Sequence, residues 1–382
     1  MKNRHRDILW EKKVCEGSYQ DITEWEPGQV VLEEGTRKYF SRLFAKLEYF
    51  LDQLVSDSTI PFGPKVHTKQ GEAYEITPLA ERYFRQIPEF LKVVATLPPQ
   101  NQYSEHVEVF IACCREMGLL GQMLEWSNLQ DAPCQTYSKL NGASAAELFN
   151  TLVAKLRERC LSEQTKKRVR RRRSEADTLT EEYAKYADAL RGKTRRLVVL
   201  RIDLEYRKEY RDQMSVVEAL ADLDHFFNNQ RNNSLFKGKL GFIAKLEYGA
   251  LKALHFHLIL FFDGAIQDGR IDVHMAKKIG QYWVEVITKG RGRYWNINAN
   301  KQEYMQKGIL GIGLIHDDEY GDGLFKNLKH RIIRYMCKST QFVRAKLPEE
   351  LPSSGRSKHR GIRRGNYPKV PKRKPGRPPK AR

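Results

Sequence analysis

The sequence predicts an α+β fold: a mainly antiparallel sheet with helices on one face, preceded by a mostly helical N-terminal domain and followed by a disordered basic tail. Three observations lead there. Through residues 1–165, apolar side chains recur at spacings of three and four, the period of an amphipathic helix. Between residues 178 and 350, short β-branched runs alternate with helix-period segments in the order β-α-β-β-α-β-α, which suits a sheet with helices packed against it. From residue 352 onward Pro, Gly, Ser and basic residues dominate, too poor in apolar area to fold alone. The expected division is a helical accessory domain at 1–165, a basic linker at 166–177, an α+β domain at 178–350 and the tail at 351–382.

The elements follow in order. Phe40, Leu43, Phe44, Leu47, Phe50, Leu51 and Leu54 form one helical stripe. The segments beginning at Leu79 and His106 look similar, with Pro88 interrupting the first and Pro61, Pro64, Pro98 and Pro99 marking loops. Cys113 and Cys114 lie in an apolar run and read as buried packing. A helix over 178–194 has Thr178 or Thr180 available as its cap. Residues 195–206 read as a strand and 215–230 as a helix. Strands at 241–248 and 254–262 close a hairpin through the intervening GALKA. A helix at 273–287, a strand at 309–315 and a closing helix at 324–347 complete the domain.

Composition narrows the function classes. A hydrophobic fraction of 41% and an aromatic fraction of 10% in 382 residues exclude wholesale disorder. No apolar run approaches the ~20 residues of a membrane helix, and the charged start MKNRHRDILWEKK lacks the apolar stretch of a secretory signal. The six cysteines form no C-x-x-C pair, so a reducing, cytoplasmic setting is expected. The net charge of +20 is concentrated: 354–382 holds 12 Lys/Arg and no acid, and KKRVRRRR holds seven. Those seven are Lys166, Lys167, Arg168, Arg170, Arg171, Arg172 and Arg173. Such runs suit a nucleic-acid backbone, where each phosphate contact releases counterions; a solvated charge run or a tether to an acidic membrane is the alternative. Within KRKPGRPPK, Arg373 and Arg377 sit in an AT-hook-like setting, a form in which an extended Arg lies in a narrow minor groove.

The chemistry concentrates in Leu254-His255-Phe256-His257-Leu258. On a strand, successive side chains alternate faces, so His255 and His257 point one way and the apolar residues the other. Paired imidazoles make half of a metal site; two half-exposed packed histidines are the plainer reading. Glu247, in the preceding strand, would be brought beside them by the hairpin, unless it simply pairs with Lys245 or Lys252. Asp203 is a weaker substitute, and His316-Asp317-Asp318-Glu319 reads as a solvated turn. In the closing helix Leu324, Leu328, Ile332, Tyr335, Ser339 and Phe342 share one stripe. It aims Tyr335 at the sheet, with Lys338 one turn on. A phenolate can attack phosphorus if a cation stabilises its charge. Tyr304 begins a second Y-x-x-K.

Taken together, a strand with H-hydrophobic-H, a Glu in the strand before it and a later helical Y-x-x-K resemble the HUH endonucleases. These include the rolling-circle replication initiators. RLVVLRIDLEY and YMCKSTQF are similar to segments of the filamentous-phage (inovirus-like) and prophage initiators. The resemblance covers roughly 180–345 and implies a HUH/Rep-like, ferredoxin-related domain. It implies His255, His257 and Glu247 as ligands of Mg²⁺ or Mn²⁺, where donor chemistry alone also allows Zn²⁺. It implies Tyr335 as nucleophile assisted by Lys338, with Tyr304 the alternative nucleophile, in a single-tyrosine enzyme. The expected activity is metal-dependent, strand-specific DNA nicking and joining through a 5′-phosphotyrosyl link. The expected partners are single-stranded or hairpin origin DNA, a host helicase and a polymerase, and no membrane. A non-catalytic prophage DNA-binding or regulatory protein is the alternative, and a phosphoesterase that uses water as nucleophile is a third reading.

Overall fold

The computed structural model describes residues 31–68, 71–95, 101–120, 133–136, 142–211, 213–230, 233–249, 253–267, 271–337, 343–345 and 361–368. Its first part contains α1 (Val31–Ser56), the antiparallel hairpin β1 (Phe62–Thr68) and β2 (Gly71–Ile76), α2 (Pro78–Tyr83), α3 (Ile87–Ala95), β3 (Asn101–Tyr103), α4 (Glu105–Glu116) and α5 (Ala145–Leu161). From Leu43 onward the stripe read from the sequence is the buried one; the Phe40 side chain lies outside the described ones. Leu43, Phe44, Leu47, Phe50, Leu51 and Leu54 join Phe90, Phe110, Phe149 and both adjacent cysteines in one core. Pro88 falls in the first turn of α3, after a 3-10 turn at Phe84–Gln86, where a missing N–H costs nothing. The hairpin is unforeseen because Pro64 lies inside β1. It is tolerated there because the register shifts between Phe62 and Lys65, and a bulge needs no ladder donor.

The basic run is not a linker. It lies inside one 29-residue helix, α6 (Glu163–Arg191), capped by Ser162. Thr178 and Thr180 do not cap it: their hydroxyls donate to the carbonyls of Ser174 and Ala176 in its interior. Carboxylates one turn away offset the crowded charge, with Glu163 pairing to Lys166 at 3.3 Å and Glu175 to Arg171 at 2.8 Å. Arg168 and Arg172, on one face of α6, reach Glu108 and Glu105 of α4. Further along, Tyr183, Tyr186, Ala187 and Leu190 pack on the sheet. The helix therefore spans the expected domain boundary.

The second part follows: β4 (Arg196–Tyr206), α7 (Val216–Asn228), β5 (Lys239–Gly249), β6 (Ala253–Asp263), α8 (Asp272–Tyr282) with a π-helical continuation (Trp283–Ile287), β7 (Gly292–Asn296), α9 (Lys301–Gln306), β8 (Gly313–His316), α10 (Glu319–Asn327), a π-helical stretch (Leu328–Ile333), α11 (Arg334–Cys337), β9 (Val343–Ala345) and β10 (Ile362–Arg364). The main sheet runs β10-β5-β6-β4-β7, with β8 also on β4, and every pairing is antiparallel. The α+β class with a mainly antiparallel sheet is thus the observed one.

Four details depart from expectation. Helices cover both faces of the sheet rather than one: α7 and α8 pack on one side, and α6 with α10 and its continuation on the other. β7 is an unforeseen strand. The closing helix does not run to 347, since Val343–Ala345 is a strand pairing with β3. The tail is not wholly without structure, since Ile362–Arg364 pairs with β5 and the Arg364 guanidinium lies against the rings of both Tyr186 and Tyr367. Long-range pairings of this kind leave no local period to read.

The free edge of β4 is shared by β7 and β8, which leaves a gap between them at Leu200 and Arg201. The carboxamide of Asn298 fills it. Arg201 N–H donates to Asn298 Oδ1 at 2.8 Å, and Asn298 Nδ2 donates to Val199 O at 3.0 Å and to Asp272 at 2.7 Å. One side chain there replaces a missing stretch of strand. Among the described residues no helix is long and apolar enough to cross a membrane.

Candidate metal centre

Strand alternation puts Arg201, Asp203 and Glu205 of β4, His255 and His257 of β6, and Lys245 and Glu247 of β5 on one face of the sheet. Phe256, Leu258, Leu260 and Phe262 point the other way into a fully buried core. Each contributes about 2–3 kcal/mol by burial. That core pins the register, because a one-residue slip would push the imidazoles into the apolar layer. Glu247 pairs with His255, and Lys245 and Asp203 flank His257 on its two neighbouring strands. The hairpin places the carboxylate beside the histidines as the sequence leads one to expect.

Hydrogen bonding fixes both rings. His255 Nδ1 lies 3.0 Å from Ala253 O; a carbonyl only accepts, so Nδ1 carries the proton and Nε2 the lone pair. Ala253 adopts φ +52°, a left-handed conformation uncommon outside glycine, at the end of the hairpin. His257 Nδ1 donates to Asp203 at 2.7 Å, and its Nε2 lies 3.0 Å from Glu247 Oε2. Glu247 Oε2 is also 3.9 Å from His255 Nε2, while Oε1 is 2.9 Å from Lys245 Nζ. The pairing with Lys245 and the approach to the histidines therefore coexist. Burial disfavours a charged His257, but Asp203 and Glu247 outweigh it and hold the imidazole above its ordinary pKa.

One donor atom each from Glu247, His255 and His257 lies within 4.8 Å of the others. The three residues are 8%, 5% and 5% exposed. This is a donor set that can hold a metal ion: the Nδ1 positions are committed elsewhere, and the Nε2 positions converge on one carboxylate. Asp203 stands outside this donor set and fixes the orientation of one of its imidazoles. Glu205 is committed to Arg293 at 2.7 Å.

The phenol arrives from the far end of the domain. Tyr335 lies with its ring centroid 6.0 Å from that of His257, edge to face. The π-helical stretch before it matters, since widening a turn re-phases the residues that follow. Met336 and Cys337 take buried positions and Tyr335 sits half-exposed at the margin of the layer. Leu324, Leu328 and Ile332 of the expected stripe are buried; Ser339 and Phe342 lie outside the described residues, as does Lys338. Burial pushes the neighbouring Cys337 thiol up to about 11, so it stays protonated. Tyr304 is in α9 and packs against the same apolar layer.

The remaining expectations resolve as follows. Of the basic run, Lys166, Arg168, Arg170, Arg171 and Arg172 pair with carboxylates, and Lys167 and Arg173 are exposed. Arg373 and Arg377 lie outside the described residues. His316 ends β8 and Glu319 begins α10, with Asp318 capping that helix through Gly321 N–H, so the turn expected at 316–319 is confined to the exposed Asp317 and Asp318. Sequence reasoning did not bring Arg201 to this face, it weighed Asp203 as a substitute ligand rather than as the partner of His257, and its alternative of a Glu247–Lys245 pair is present. The signal was Arg-x-Asp-x-Glu at every second position of an otherwise apolar strand.

No curated protein and no solved structure matches the chain. A match does exist at the level of families: residues 159–348, the segment that holds the triad and Tyr335, are similar to the YagK/YfjJ C-terminal domain.

Proposed function

We propose that the chain is a metal-dependent DNA nicking and joining enzyme of the HUH type. It would initiate rolling-circle replication of a phage, prophage or plasmid-like element in the cytoplasm of a bacterial or phage-infected cell. The observation that carries this reading is the convergence of Tyr335 on His257, whose Nε2 meets Glu247 beside His255. A phenol next to a two-imidazole, one-carboxylate site is an arrangement for attack on a phosphodiester. Mn²⁺ suits that donor set better than the oxygen-preferring Mg²⁺; bound there, either ion supplies positive charge to a phosphoryl oxygen.

The substrate is single-stranded or hairpin DNA. Tyr335 Oη forms a bond to phosphorus as the P–O3′ bond breaks. The phenolic proton passes to water, and the departing 3′ oxygen takes a proton from water. The products are a 5′-phosphotyrosyl link and a free 3′-OH for a host polymerase, with a host helicase opening the duplex ahead. No phosphodiester energy is lost, so a later 3′-OH reverses the step and rejoins the strand. Lys167 and Arg173 on α6, with the basic C-terminal residues, add salt-sensitive affinity for the backbone.

Incubation with Mn²⁺ and labelled single-stranded oligonucleotides tiling the DNA around the chain's own gene, followed by a denaturing gel, tests the proposal. The unaltered chain and Tyr304→Phe give a covalent adduct. Tyr335→Phe and addition of chelator give none. An undiminished adduct from Tyr335→Phe, or no adduct from the unaltered chain, overturns it.

A further inference from the structure

Unlike Lys245 and Arg293 on the same face of the sheet, Arg201 has no carboxylate partner among the described residues, and the mechanism above does not use it. It projects from β4 two residues before Asp203, on the same side of the sheet. Its guanidinium carbon lies 5.8 Å from the centroid of the Tyr335 ring, the ring that stands 6.0 Å from His257. Tyr335 therefore has both His257 of the candidate metal centre and a guanidinium close to its ring.

Three features meet in this arginine. Its Nε is buried, with no hydrogen-bond partner among the described residues. No carboxylate pairs with it there, whereas Arg291, Arg293 and Arg364 pair with Asp222, Glu205 and Glu182. Its backbone is held by Asn298 at the gap between β7 and β8, so its stem starts from a fixed point. A buried, unsatisfied donor in a native fold calls for an explanation. A cation over an aromatic ring accounts for the charge in part, but not for an N–H left without an acceptor. The acceptor that fits a guanidinium fork is a phosphate, through two parallel N–H···O bonds.

We propose that Arg201 is a phosphate-binding catalytic residue: it grips a non-bridging oxygen of the DNA phosphate presented to Tyr335. This rests on the nicking reading above and assigns the substrate phosphate a second anchor beside the phenol, in addition to the triad. The half-buried setting strengthens the contact, since charge-assisted hydrogen bonds gain in low dielectric.

Arg201→Ala and Arg201→Lys in the full chain test it through readouts with and without chemistry. With chelator present, binding of the tiled single-stranded oligonucleotides is followed by anisotropy against salt. Losing one phosphate contact lowers the slope of log K against log[salt] by about 0.7. With Mn²⁺ present, adduct formation by Arg201→Ala falls about 10²–10³-fold. Lysine restores little, because a point charge does not replace the fork, and added guanidinium ion recovers part of the alanine variant's rate. Mn²⁺ affinity by calorimetry stays that of the unaltered chain, which a merely structural role would not guarantee. An unchanged slope and adduct rate in Arg201→Ala overturn this inference alone, provided that the unaltered chain forms an adduct that Tyr335→Phe loses. Loss of Mn²⁺ affinity also overturns it, by moving Arg201's effect to the triad. An Arg201-dependent slope with no adduct from any chain leaves the phosphate contact standing and overturns the nicking reading.

Discussion

Asp203→Asn isolates the group that orients a ligand without touching the donor set. Asp203 accepts from His257 Nδ1 at 2.7 Å and is buried. Asparagine keeps the shape, removes the charge and can present an NH₂ to the imidazole, which would turn the ring to the wrong tautomer. Losing such a partner typically weakens metal binding about 10–100-fold, or about 1.4–2.7 kcal/mol. The same number reappears in stability. At a Mn²⁺ concentration about 100 times the dissociation constant of the unaltered chain, the ion adds about 2.7 kcal/mol. In the variant that gain falls to about 1.4 kcal/mol for a tenfold loss and about 0.4 kcal/mol for a hundredfold loss. Titration calorimetry with Mn²⁺ reads the affinity, and thermal melting with and without Mn²⁺ reads the linked stability. An Asp203→Asn protein with unaltered Mn²⁺ affinity would refute the orienting role of Asp203.

Two further predictions follow from the same geometry. His257 is held above its ordinary pKa by Asp203 and Glu247 against the opposing effect of burial. In the metal-free chain it therefore contributes stability that is complete below the unfolded imidazole value of about 6.5 and is lost as pH rises through the higher folded value. Metal must displace that proton, so Mn²⁺ affinity rises with pH over the same window; urea unfolding without metal and calorimetry with it, over a pH series, should move in opposite directions. Asn298→Ala strands the N–H of Arg201 and the carbonyl of Val199, both inside the sheet. Unfolding in urea should show a loss of about 2–5 kcal/mol, and a loss below about 1 kcal/mol would contradict the bridging role of that carboxamide.

Local pattern and long-range pairing divide the protein cleanly. The helical stripe of α1, the strands that became β4, β5 and β6, and the helix at 216–228 follow from spacing alone, because periods of 3.6 and 2 are local properties. The basic run shows where spacing fails. Seven cations in eight residues look like an exposed linker, yet acidic residues in the next turns and on α4 neutralise enough charge for the helix to continue. β9 and β10 escaped notice because three-residue strands gain their stability from a partner far away in the chain.

By itself the sequence determined that two imidazoles share one strand face, that a glutamate precedes them across a hairpin, and that a tyrosine lies on a sheet-facing helical stripe. Each depends on side-chain period and short-range connection. Only the tertiary structure decided that Asp203 orients His257, that Lys245 shares Glu247, that Tyr335 stands over His257 and that Arg201 stands beside it. Those are matters of strand order, register and helix phase. They are set by burial on the opposite face of β6, by the pairing of β4 with β6, and by the widened turn before Tyr335, none of which a single stretch of residues encodes.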